Sequence, residues 1–166
     1  MKEFKSAKKQ LELLENRGLI IENYKEAEFY LIDNNYYNVI NMYGKYFQHP
    51  HQKDKYLEGA RFNEIKAFHI LDTELKTNLF NIKFISEIHS QLHISPQDPN
   101  QSPYHMFEIL RLLLPKNVFY LLNTTIRKTI KNASAKIYTI DINIILEDYG
   151  FPKNWMNRPK LKQINK

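Results

Sequence analysis

The chain has 166 residues, 43% hydrophobic and 13% aromatic, enough to bury a core in one domain or in one domain with a small helical appendage. No cysteine is present, which excludes disulfides and thiolate metal sites, and only four glycines and seven prolines argue against a turn-rich all-β fold. A formal charge of +6 and a pI of about 9.3 favour an anionic partner, and nucleic acid is the commonest such partner.

No apolar run reaches the roughly 18 residues a membrane span needs. The opening MKEFKSAKKQLELLEN is basic without an apolar signal core, so the expected location is the cytoplasm. Residues 6–16 predict a first helix with Leu11, Leu13 and Leu14 on one side and Gly18 just past its end. Asn23 and Glu26 read as a capping box that opens a second helix running to about Asp33, with Ala27, Tyr30 and Leu31 on its apolar face. Asn34–Asn35 break it, and Tyr36–Phe47 reads as a third, aromatic-rich helix. Residues 48–60 are polar, hold a proline and a glycine, and predict a loop.

The most regular pattern follows. Phe62, Ile65, Phe68, Leu71, Leu75, Leu79, Ile82, Ile85, Ile88 and Leu92 recur by threes and fours with no glycine or proline between them. A helix over that span runs roughly 45 Å and would be the spine of the fold. SPQDPNQSP (95–103) cannot continue it and reads as a linker. Helices are then expected at about 104–114, 116–132 and 139–149, with Pro115 near the first turn of the middle one, Thr139 or Asp141 as the last N-cap, and Gly150 as its stop. The layout is therefore an N-terminal helical region (1–94), a linker (95–103), C-terminal helices (104–155) and a basic tail (156–166), folded as one all-α bundle. The strand-like runs 18–22 and 136–140 are too short to make a sheet of their own.

Three blocks carry a family resemblance. The first is KKQLELLENRGLIIENYKEAEFYLIDNNYYNVINMYGKYF. The second is YLEGARFNEIKAFHILDTELK, with Gly59, Phe62, Ile65, Phe68, Asp72, Leu75 and Lys76 at the motif positions. The third runs from FEILRLLLPKNVFY to a closing Gly150, Phe151, Pro152 and Trp155. In this order they resemble the abortive-infection (Abi) family of anti-phage proteins, over most of 1–92 and 107–155. The resemblance implies a HEPN-type helical bundle, pairing as a homodimer, and an effector that cleaves or binds RNA. HEPN chemistry uses an arginine followed within a few residues by histidine: the arginine holds the scissile phosphate and the histidine moves the proton. Here the arginines are Arg17, Arg61, Arg111, Arg127 and Arg158, and none has a histidine at that spacing; Arg61 and His69 are too far apart. The expectation is a non-catalytic or weakly catalytic RNA-binding protein that needs no cofactor.

Each candidate site has a plainer alternative. Lys83 and His89 are the nearest mimic of the missing pair and would serve a metal-independent endoribonuclease with a rebuilt site, with Glu87, Arg61 or His69 assisting. Six residues apart, however, their side chains diverge by about 120° around a straight helix, as solvated residues would. His89 and His93, and separately His49 and His51, have ligand-like spacing, but such pairs arise readily by chance and no metal is expected. Asp72 and Glu87 stand about 22 Å apart along one helix, too far for a catalytic pair, and Asp72 reads instead as a core-edge partner of Lys76. Tyr24, Phe29, Tyr30, Tyr36, Tyr37, Tyr43, Tyr46 and Phe47 could stack bases, or simply pack. Arg127, Lys128, Lys131, Lys153 and Arg158 are the expected RNA contacts, against the alternative of solvated helix faces and a basic tail. A helix-turn-helix regulator built on residues 6–34 is the last reading, weakened by the acidic Glu22, Glu26 and Glu28.

Overall fold

The computed structural model describes residues 6–80 and 103–159. Every regular element among them is a helix; the only β pairing is two isolated bridges, Ile20 with Arg61 and Gln48 with Tyr56. No helix among the described residues is long and apolar enough to cross a membrane. The chain divides into two compact units, Met1–Ile70 with Lys136–Ile140, and Leu71–Ala135 with Asp141–Lys166.

In the first unit, α1 (Ala7–Asn16) starts at Ser6, whose side chain accepts from the Lys9 amide. It ends in a Schellman turn. The Gly18 amide donates to the Glu15 carbonyl (2.8 Å) and the Leu19 amide to the Leu14 carbonyl (3.1 Å). Gly18 has φ +94°, a conformation open to glycine at little cost, and the turn drives Leu19 into the core beside Leu11 and Leu14. α2 (Tyr24–Asn34) is capped by Asn23, which accepts from the Glu26 amide at 3.1 Å. The reciprocal half of the expected capping box is not made, because the Glu26 carboxylate pairs with Lys66. Asn35, at φ 63°, stops the helix where the sequence predicted a break.

The expected third α-helix is helical but irregular: a π-helical turn at Tyr37–Asn41 and a 3-10 turn at Gly44–Phe47. Val39 and Ile40, both within the π turn, are buried in this unit's core. Residues 48–60 form a loop pinned by short backbone bonds, His49 to Lys55 and Leu57 to Phe47, both 2.8 Å. α3 (Phe62–Phe80) follows, its first residues packing Ile65 and Phe68 into this unit's core. Residues 81–92 of the expected spine and most of the 95–103 linker lie outside the described residues.

The return segment Lys136–Ile140 is held in the first unit by Glu64, which is fully buried on α3. One carboxylate oxygen accepts from the Tyr138 and Thr139 amides (2.9 and 2.7 Å), the other from the Arg61 amide (3.0 Å) and the Thr139 hydroxyl (2.6 Å). Four donors converging on one carboxylate satisfy a charge that would otherwise be costly to bury. Ile137 is buried in the same stretch.

In the second unit α3 contributes Leu71, Leu75 and Leu79 to the core, and Asp72 at its edge. Asp72 accepts from the Tyr149 hydroxyl and pairs with Lys76 at 2.7 Å, the partner expected from the i, i+4 spacing. α4 (Pro103–Leu113) and α5 (Lys116–Ser134) are joined through Pro115, the N-cap of α5. α6 (Ile142–Asp148) is capped by Asp141, which accepts from the Asn143 amide at 2.9 Å. Thr139, the other candidate cap, is occupied by Glu64. A second Schellman turn closes α6, with Gly150 at φ +81° and the Phe151 amide donating to the Leu146 carbonyl at 2.9 Å. It buries Phe151 and aims the chain toward Trp155, also buried. Trp155 meets Phe107 edge-on (5.4 Å between centroids) and Phe151 (4.9 Å). Trp155 thereby anchors the segment that follows α6 within this unit.

Candidate anion-binding cleft

α5 is amphipathic. Phe119, Leu122, Ile126, Ile130 and Ala133 face the core, and Lys128 and Lys131 are exposed. From the core boundary out to this exposed face runs a stripe at helical spacing: Tyr120, Asn123, Thr124, Arg127, Lys128 and Lys131. With Met156 from the short 3-10 turn Trp155–Asn157, this stripe lines a cleft of about 280 Å³.

Arg127 forms its floor. It is 8% exposed, so it is not the surface cation the sequence suggested. Nε donates to Asn123 Oδ1 (3.2 Å), Nη1 donates to the Met156 carbonyl (2.9 Å), and the guanidinium lies 4.4 Å from the Trp155 ring centroid. All three partners are neutral. Among the described residues no carboxylate lies within ion-pair distance of Arg127. Burial pulls its pKa below the ordinary arginine value, since removing a cation from water disfavours the charged form. Among the described residues the result is a largely desolvated positive charge met by dipoles and an aromatic face, with two lysines beside it and no acid in the lining. Such a cleft attracts an anion, and its low-dielectric wall strengthens the attraction.

The other sequence-predicted residues fall in different places. Lys128 and Lys131 join Arg127 in the cleft. Lys153 and Arg158 are exposed on the tail and do not line it. Lys83, His89, Glu87 and His93 lie outside the described residues. Arg61 donates to Glu22 at 2.7 Å and lies over the Tyr138 ring, while His69 shares a 2.7 Å hydrogen bond with Tyr30. Neither bond leads toward the other residue. His49 and His51 are neighbours, 6.2 Å between ring centroids, but no cluster of three metal-binding side chains occurs among the described residues. Of the aromatic cluster, Tyr43 and Phe47 are core, whereas Phe29 and Tyr37 are well exposed.

No family model, curated protein or solved structure matches the chain. The functional reading therefore rests on the cleft and on the sequence motifs. Sequence reasoning missed Tyr120, Asn123, Thr124 and Met156 as members of the site. Tyr120 and Thr124 were within reach, being two turns and one turn before Lys128 on the same helix face.

Proposed function

We propose that this chain is an abortive-infection-type helical protein that binds RNA through the α5–tail cleft and lacks HEPN arginine–histidine chemistry. The observation that carries the RNA reading is the buried Arg127, which has no carboxylate partner among the described residues and is flanked by Lys128 and Lys131 in a cleft whose described lining holds no acid. The motif blocks support the family, and a HEPN-like bundle with α3 extended to residue 92 as its spine goes with it. So do a homodimer and a cytoplasmic location. The exposed cations of the tail, Lys153 and Arg158, extend the electropositive character of the chain beyond the cleft.

The test is fluorescence anisotropy of a labelled single-stranded RNA with the full chain, titrated at several salt concentrations. Each phosphate contact contributes about −0.7 to the slope of log affinity against log salt for a single strand. The double variant Lys128→Glu/Lys131→Glu should lower affinity and flatten that slope by about 1.4. Binding that ignores both salt and these substitutions would remove the cleft from the proposal. Intact RNA in the same mixtures is the expected readout, and cleavage would point back to Lys83 and His89.

A further inference from the structure

The cleft has more chemistry than a basic patch requires. Its lining runs in order along α5: an aromatic ring at Tyr120, a hydroxyl at Thr124, then the cations Arg127, Lys128 and Lys131. From Tyr120 to Lys128 is eight residues, about 12 Å of helix rise. Side chains on a helix lean toward its N-terminus, so an extended lysine at 128 carries its ammonium back toward the level of Thr124. Lys128 and Lys131 are separated by only about 4.5 Å of rise, which lets both reach one phosphate. At about 280 Å³ the cleft lies just below the usual range for small-molecule pockets, room for a ring and a phosphate rather than a folded segment.

Thr124 fixes a further detail. Its hydroxyl donates to the Tyr120 carbonyl at 2.9 Å. With its proton committed, Oγ1 offers only lone pairs, and an acceptor is repelled by phosphate oxygens but welcomes a donor such as a ribose hydroxyl.

We propose that the cleft is a subsite for one unstacked ribonucleotide: base flat on Tyr120, sugar hydroxyl donating to Thr124, phosphate between Lys128 and Lys131 above Arg127. This rests on the RNA reading above and deepens it. A base paired in a duplex cannot lie on Tyr120, so the site selects single strands.

The experiment uses adenosine 5′-monophosphate, 2′-deoxyadenosine 5′-monophosphate, adenosine and inorganic phosphate with the full chain, followed by the fluorescence of Trp155, the only tryptophan, which lies against Arg127. Adenosine monophosphate should bind at least tenfold more tightly than phosphate or adenosine alone, and more tightly than its deoxy analogue. Tyr120→Leu should weaken both the mononucleotide and the single-stranded RNA by roughly 5- to 150-fold, the range for losing one base stack, while Tyr120→Phe stays close to the parent. Equal affinity for phosphate and adenosine monophosphate overturns the subsite without needing any variant. RNA binding that responds to Lys128→Glu/Lys131→Glu but not to Tyr120→Leu overturns the subsite and keeps the RNA reading. A mononucleotide that binds as described while single-stranded RNA does not would do the reverse.

Discussion

Replacing Glu64 tests the account of how the first unit is closed. The carboxylate is fully buried and accepts from three backbone amides and one hydroxyl, at 2.6 to 3.0 Å. Glu64→Gln keeps the shape and one oxygen. If that oxygen stays with the Tyr138 and Thr139 amides, the new NH2 group faces the Arg61 amide, donor against donor. The Thr139 hydroxyl then has to turn and accept. One bond is lost and one donor is stranded, a cost of about 1.5–3 kcal/mol. Glu64→Ala strands all four donors and leaves a void, for about 3–5 kcal/mol. Urea unfolding followed by far-ultraviolet circular dichroism measures both, and hydrogen exchange of the Thr139 amide localises the effect. Exchange should quicken by about tenfold for each 1.4 kcal/mol if that amide opens together with the loss of the clamp. A Glu64→Gln variant as stable as the parent to within about 0.5 kcal/mol, or an alanine variant no worse than the glutamine, would refute the reasoning.

Two other expectations follow from the same kind of geometry. Burial pushes the Tyr30 and Tyr56 phenols up to about 12, and donation to Glu15 does the same for Tyr24, from an ordinary 10.0. Their neutral forms are favoured by the fold, so that stabilisation is intact below pH 10 and is lost as pH rises from 10 toward 12. A tyrosinate absorbance titration should show a late class of phenols that ionises as helicity is lost; a single uniform ionisation near 10 with the fold intact would contradict it. Asp72→Ala should cost about 1–3 kcal/mol by removing an acceptor of the Tyr149 hydroxyl, whereas Asp72→Asn keeps that acceptor and should cost under about 1 kcal/mol, since the pair with the exposed Lys76 contributes little. Thermal unfolding of the two variants distinguishes a hydrogen-bond role from an ion-pair role.

Much of the helix layout was legible because its signals are local. Ser6, Asn23 and Asp141 cap, and Gly18 and Gly150 stop, through contacts within a few residues of themselves. Asp72 with Lys76 was legible for the same reason. The π turn at Tyr37–Asn41 was not, because aromatic and aliphatic residues there fit either helical period. The role of Glu64 was not legible, since three of its four donors come from a segment more than seventy residues later. Its place on the buried stripe with Phe68, Leu71 and Leu75 was the one available clue. Arg127 misled for a related reason. It follows Asn123 by one turn and Ile126 by one residue, which sets it against the core, yet in a basic stretch it reads as a surface charge.

The Glu64 clamp also governs when the first unit can be completed. Residues 136–140 are the last piece of a body whose other parts end at Ile70, and residues 71–135 come between them in the sequence. On a ribosome the clamp cannot close until synthesis has passed Thr139, and until then the α3 carboxylate has only the Arg61 amide of its four donors. The first unit therefore cannot be completed before its last segment has been made. A fragment ending before residue 136 would present a buried acid with three of its four donors missing, and a synthetic peptide spanning 136–140 is the piece that could restore them in trans.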